Sequence, residues 1–280
     1  MDQAARLRKL TLQRQGNPMR VIAVASGKGG VGKTSIVLNL GLMLARQGQK
    51  VLIFDADLGL ANVDVLMGIL PKHSISEVID GKRPLEEIAI KGPHDLLLIP
   101  GASGIQQLAD LDSVKRSRLI NELNSIASKV NYLLIDLGAG ISRNVISFAA
   151  AAGEVIVVAT PEPTSITDAY ALIKCLHRLN VKVNLLINRA IKDSEGRQVT
   201  ERLQEACKRF LKLEVSILGV IPEDPKVAQS VRNQKPFCEL YPNSKATRAL
   251  SEVTAKLQGK DKPLDKKVGF WMRLSRLLGS

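Results

Sequence analysis

The chain has 280 residues and a formal net charge of +13, with 45% hydrophobic but only 3% aromatic residues. That length allows one or two domains around an aliphatic core, and the charge suits an anionic partner such as a nucleotide, a nucleic acid or an acidic lipid surface. No apolar run approaches the roughly 18 residues of a membrane span, and the N-terminus shows no apolar signal region. Cys175, Cys207 and Cys238 fit no metal-ligand spacing, and such a scattered, odd set suits a reducing cytosol.

In chain order, residues 1–17 read as a polar arm, ended by Gly16-Asn17-Pro18. Positive charge gathers at both ends of the chain, in Arg6, Arg8, Lys9, Arg14 and Arg20, then in Lys256, Lys260, Lys262, Lys266, Lys267, Arg273 and Arg276. Arg20 to Ala25 is an apolar run of the kind buried in a parallel sheet. Ser35 to Gln47 follows with helical spacing of Ile36, Val37, Leu40 and Leu44. Between them lies Gly27-Lys28-Gly29-Gly30-Val31-Gly32-Lys33-Thr34, a G-x-x-x-x-G-K-[ST] phosphate-binding loop in the strand–loop–helix context that it requires. Its glycines let successive N–H groups cradle phosphate oxygens, and the helix start adds partial positive charge. Lys33 is expected on the β- and γ-phosphates, and the Thr34 hydroxyl on Mg²⁺.

Lys50 to Asp55 is the next strand, and it leads into Asp57; acids at the carboxyl end of a parallel strand face the ligand crevice. Further strands are expected over Leu96 to Pro100, Tyr132 to Asp136, Glu154 to Thr160, Lys182 to Asn188 and Glu214 to Gly219. Asp136 ends an apolar strand in the Walker B manner and would hold the Mg²⁺ environment. Helices are expected over Ser74 to Ile79, over Ser113 to Lys129, and from the Pro161–Ser165 turn to Leu179; Thr164 and Asp168 form no capping box and are given no role. The alternation of strands and helices over residues 19–258 predicts one doubly wound, mostly parallel α/β sheet with helices on both faces. Residues 259–265 read as a polar linker. After it, Phe270, Trp271, Leu274, Leu277 and Leu278 share an arc of about 120° on a short basic helix, the pattern of an interfacial membrane anchor; docking on the chain's own core is the other possibility, and the two can alternate.

The second lysine of the loop carries a resemblance. K-G-G-V-G-K-T, with Lys28 near its start, resembles the deviant Walker A loop of the MinD/ParA group of SIMIBI-type ATPases. The resemblance implies that ATP and Mg²⁺ bind on Gly27, Lys28, Gly29, Gly30, Val31, Gly32, Lys33, Thr34 and Ser35, and that Lys28 reaches the partner's nucleotide across an ATP-dependent homodimer. It makes Asp57 the residue that polarises the attacking water, gives Asp55 a place in the Mg²⁺ shell, and sets Asn62 and Asp64 on the dimer-facing switch surface. Leu137-Gly138-Ala139-Gly140-Ile141-Ser142 resembles switch II, although Leu137 stands where the family usually has a small or polar residue. Asn188 and Arg189 match the adenine-reading position, and Ile221, Pro222 and Glu223 the loop on the other side of the base. D-Q-A-x-x-L-R at the N-terminus resembles the activator arm of the FlhG (FleN, YlxH) family of flagellar number and placement regulators. By that match Gln3 stimulates an FlhF-type GTPase, flagellar switch or C-ring proteins are partners, and residues 259–280 hold the linker and membrane-targeting helix. The implied place is the cytoplasm, peripheral on the inner face of the cell membrane with ATP bound, and turnover is slow. A MinD-type division-site regulator and a ParA-type DNA-partitioning ATPase are the alternatives; the terminal helix argues against nucleic acid.

Overall fold

Strands buried on both faces must be apolar at every position, and the expected runs form the centre of the molecule. The computed structural model describes residues 19–57, 63–99, 112–259 and 269–278. Its strands are β1 (Arg20–Ser26), β2 (Val51–Ala56), β3 (Ile90–Lys91), β4 (Leu97–Ile99), β5 (Tyr132–Ala139), β6 (Glu154–Ala159), β7 (Lys182–Ala190) and β8 (Ser216–Pro222). They form one sheet in the order β3-β4-β2-β5-β1-β6-β7-β8. Every pairing is parallel except β3 with β4. The doubly wound α/β fold is thus observed, with a two-residue antiparallel edge strand that the sequence patterning did not reveal.

Side chains alternate cleanly across the sheet. Ala23, Ala25, Leu52, Phe54, Leu133 and Ile135 face one core; Ile22, Val24, Val51, Ile53 and Leu134 face the other. Helix α1 (Lys33–Arg46) and α11 (Lys245–Gly259) cover the second core, along with the short α2 (Val63–Met67) and α10 (Phe237–Leu240). The first core takes α3 (Ile75–Ile79), α4 (Leu85–Ile88), α5 (Ser113–Ala127), α6 (Arg143–Ala152), α7 (Pro163–Arg178) and α8 (Asp193–Ala206). Helix α9 (Pro225–Arg232) follows β8.

The chain builds β2 to β5 on one side of β1, then crosses from β5 to β6 to build β6, β7 and β8 on the other. A doubly wound sheet opens its ligand crevice at such a switch point, beyond the carboxyl ends of the strands. There the ends of β1, β2, β5, β7 and β8 deliver the glycine loop, Asp55 and Asp57, Asp136, Asn188 and the 221–223 segment to one rim.

Helix α12 (Phe270–Leu278) is docked on the chain's own core. Phe270, Trp271 and Leu274 are buried among the residues of the first core, and Leu278 packs against them, while Leu277 remains 38% exposed. Arg273 fastens the helix: its Nε and Nη2 donate to the Ala151 carbonyl at 2.9 and 2.7 Å, in the last turn of α6, where the helix dipole favours a cation. Among the described residues no helix is long and apolar enough to cross a membrane.

Candidate nucleotide-binding site

The glycine loop folds as the phosphate reading requires. Gly30 and Gly32 take φ of 77° and 91°, the left-handed region that glycine enters without the Cβ penalty. Gly32 caps α1 with no side chain on the first amides, and the first turn carries no acid, so the helix start is open to an anion. Gly27 lacks a side chain for a second reason: a Cβ there would lie 2.3 Å from the main chain of Asp168 in α7. The loop is thereby wedged between α1 and α7.

Lys33 is buried, and its Nζ donates to Ser26 Oγ at 3.0 Å. Burial lowers the pKa of its ammonium, against the pull of the Asp136 and Asp57 charges. Lys28 lies at the surface with 39% of its side chain exposed. Within this one chain its Nζ donates to Glu162 Oε2 at 2.6 Å and to Thr164 Oγ1 at 3.0 Å. The charge and hydrogen bond of Lys28 hold the Glu162 carboxyl below the usual range. Thr164 therefore has a contact here that its sequence spacing did not signal.

The acids at the strand ends differ in environment. Asp136 is fully buried, and neither carboxylate oxygen has a hydrogen-bond partner among the described residues. Burial pushes its pKa up to about 7; the nearby Thr34 hydroxyl and Lys33 charge pull it down, while Asp55 and Asp57 push it up. A buried carboxylate without donors, beside a threonine hydroxyl at the head of a phosphate loop, is an oxygen set that fits Mg²⁺. Asp55 is equally buried, but its oxygens accept from the amides of Asp57 and Val63 at 3.1 and 3.3 Å, so it ties the end of β2 to the start of α2. Asp57 follows β2 and is half-buried; a Cβ on Gly138 would lie in ordinary contact with its Oδ1 at 3.4 Å, so the ends of β2 and β5 adjoin there. Asp64 is only 7% exposed, and its Oδ1 accepts from the amide of Val65. This corrects its expected place on the switch surface: it turns inward at the start of α2. Asn62 and Gln3 lie outside the described residues.

On the far side of the loop a cavity of about 310 Å³ is lined by Gly30, Gly32, Ser35, Asn188, Arg189 and the Ile221–Asp224 segment. Asn188 Nδ2 donates to the Val31 carbonyl at 2.8 Å, which joins this cavity to the glycine loop. Arg189, at a φ of 61°, is held by Glu223 at 2.8 Å, and Glu223 N donates to the Ala190 carbonyl at 2.9 Å. The structure thus gathers Gly27–Ser35, Asp55, Asp57, Asp136, Asn188, Arg189 and Ile221–Glu223 around one crevice. Sequence reasoning missed Ser26, Glu162 and the Asp168 backbone. The Pro161–Pro163 turn at the carboxyl end of β6 was the available signal for Glu162.

A glycine loop with a buried lysine, an orphan carboxylate and an adjoining base-sized cavity defines a P-loop nucleotide-binding protein. The sequence model of one family, described as ParA, NUBPL iron-transfer P-loop NTPase, matches residues 17–258. The chain is 43% identical to antiactivator FleN of Pseudomonas aeruginosa over 86% of its own length and 87% of that protein. It is 34% identical to flagellum site-determining protein YlxH of Helicobacter pylori over 93% of this chain and 91% of that protein. Among solved structures, the septum site-determining protein MinD of Pyrococcus horikoshii OT3, complexed with Mg-ADP, superimposes with a TM-score of 0.68 at 26% identity, over 85% of this chain and 96% of that one. The chain belongs to the MinD/ParA family of P-loop ATPases, on its FleN/YlxH (FlhG) branch.

Proposed function

We propose that this ATPase is a membrane-associated switch that regulates flagellar number or placement, as the names of its FleN and YlxH relatives suggest. ATP closes two chains face to face and hydrolysis parts them. Residues 1–17 are the regulatory arm, 18–258 the ATPase domain and 259–280 the linker and targeting helix. In the closed pair Lys28 leaves Glu162 for the partner's nucleotide. Gly27–Ser35 hold the phosphates, Lys33 follows the charge that develops on them, and Thr34 and Asp136 hold Mg²⁺ while Asp55 shapes its surroundings. Mg²⁺, when bound, draws negative charge from the phosphate oxygens. Asp57 orients the attacking water. Asn188, Arg189, Ile221, Pro222 and Glu223 enclose the adenine. Phe270, Trp271, Leu274, Leu277 and Leu278 leave the core for an acidic lipid surface at the inner face of the cell membrane. Pairing two such helices in one dimer multiplies a weak attachment. Through Gln3 the arm stimulates an FlhF-type GTPase, and flagellar switch or C-ring proteins are the further partners.

The observation that carries this reading is the docked α12, whose apolar face is stored against α5 and α6, with Trp271 reaching Phe54 of β2, the strand that carries Asp55. Co-sedimentation with acidic vesicles, in ATP and in ADP, tests it on the full chain and on a chain ending at Gln258. ATP-driven binding that truncation removes is expected. Failure of both nucleotides to recruit the full chain overturns the membrane switch, and a salt-sensitive shift of duplex DNA would then favour the DNA-partitioning alternative.

A further inference from the structure

We propose that Ser26 is a positioning residue for hydrolysis: one buried hydroxyl that aligns Lys33 and Lys28 with each other and with switch II. The inference rests on the roles given above to the two lysines.

Ser26 is the last residue of β1 and has no exposed surface. The register of β1 against β5 shifts between Val24, opposite Asp136, and Ser26, opposite Ala139. The main-chain carbonyl of Ser26 accepts from Gly140 N at 2.8 Å, which ties it to switch II. Its side chain accepts from Lys33 Nζ at 3.0 Å and donates to the Lys28 carbonyl at 2.6 Å.

The direction of this relay is fixed by chemistry. An ammonium only donates, a carbonyl only accepts, and a serine hydroxyl has one proton. Lys33 must therefore donate to Ser26, and Ser26 must give its single proton to the peptide of Lys28. The ammonium polarises the hydroxyl and so strengthens the second bond. The result is a link from the Walker lysine to the peptide that aims the signature lysine, built on a residue whose own carbonyl is pinned to switch II. No other described side chain is bonded to both lysine residues. Lys33 has three protons, so it can turn toward a phosphate while Ser26 keeps its hold on Lys28.

Ground-state phosphate binding falls mainly to the main-chain N–H groups of the loop and the helix start, whereas the bonds of the Ser26 hydroxyl go to the Lys28 carbonyl and the Lys33 ammonium. The aim of the two lysines matters most as charge builds on the phosphoryl group. Loss of the hydroxyl is therefore expected in kcat rather than in KM.

The test uses the full chain with Mg-ATP and the variants Ser26→Cys and Ser26→Ala. Cysteine keeps the volume but is a weak donor and acceptor. Both variants are expected to lose about tenfold in kcat, the scale of one hydrogen bond to a charged group, with KM within about twofold and the melting temperature close to that of the parent. A kcat within twofold of the parent in Ser26→Cys overturns the proposal. So does a rate loss that tracks a large fall in melting temperature, or one that appears in KM alone. Lys33→Ala separates this from the site reading: hydrolysis that survives it counts against the assigned lysine, whereas an inactive Lys33→Ala beside a fully active Ser26→Cys counts against Ser26 only.

Discussion

Trp271 stands edge-on to Phe54, with ring centroids 5.3 Å apart and planes at 87°. Phe54 in turn stacks on Phe148 of α6 at 6.1 Å, and the residue after Phe54 is Asp55. The docked terminal helix therefore touches, through Trp271, the strand that carries Asp55. Replacing Trp271 and Leu274 with Glu removes the docking face, which is also the face proposed to meet lipid. Loss of a buried Trp or Leu costs about 2–5 kcal/mol, so the helix should leave the core while the sheet stays folded. Vesicle binding should fall to the level of the chain ending at Gln258, with ATP binding unchanged; vesicle binding that persists would refute the anchor.

Asp57→Ala should bind ATP and hydrolyse it at least a hundredfold more slowly, leaving a persistent dimer, since positioned water-orienting groups act in the transition state. Size-exclusion chromatography in saturating ATP checks this; a monomer there removes Asp57 from its role.

Glu162→Gln weakens the contact that keeps Lys28 on its own chain. Both side chains are well exposed, 39% for Lys28 and 54% for Glu162, and such pairs are weak. The ATP-dependent dimer should tighten by no more than about fivefold, without a change in melting temperature. A looser dimer would place Glu162 on the side of assembly instead.

Gly27→Ala puts a methyl group into the main chain of Asp168, which no rotamer can relieve. Overpacking of this kind costs about 1–3 kcal/mol or more, so the melting temperature should drop by several degrees and ATP affinity should fall as α7 is pushed off the loop. Gly29→Ala is the control, because its nearest neighbour, Ala139 Cβ, lies 4.0 Å away. Equal melting temperatures for the two variants would remove the wedge.

At the opposite end of the sheet Arg20 holds Glu154 in a bidentate pair at 2.9 and 2.8 Å and donates to the Leu257 carbonyl. Burial alone would raise the Glu154 carboxyl, but the Arg20 hydrogen bonds and charge outweigh it and leave the pKa below its ordinary value. A depressed carboxyl contributes stability that is present above its unfolded value, near pH 4.5, and is lost as pH falls through the lower folded value. Glu154→Gln strands a buried guanidinium and should cost about 3–5 kcal/mol at neutral pH. The gap from the parent should close under acid, and denaturant titrations at pH 7 and pH 3 measure it. A gap that stays constant would deny the pair its charge.

Much of this was legible before any coordinates. Buried parallel strands must be apolar throughout, so β1, β2, β5, β6 and β7 stood out as runs, and a phosphate loop needs fixed spacing between a strand and a helix. What stayed hidden were contacts that sequence distance conceals. Ser26 looks like an ordinary strand end until Lys33 and Lys28 fold over it. Glu162 meets Lys28 across 134 positions. Asp64 follows a run of switch residues yet turns inward. The amphipathic pattern of α12 specifies an apolar face but not its occupant, because Phe54 and a bilayer satisfy it equally. The two-residue β3 is too short to carry a period.

The burial of Trp271 has an optical consequence. It is the chain's one tryptophan. It is 2% exposed, and its indole N–H has no hydrogen-bond partner among the described residues. Indole emits toward the blue in dry surroundings, toward the red in water, and toward the blue again at the depth of lipid carbonyls. The docked helix is therefore expected to emit toward the blue; on the proposed membrane switch, a shift to the red marks its release into water, and a return to the blue that requires vesicles marks its insertion.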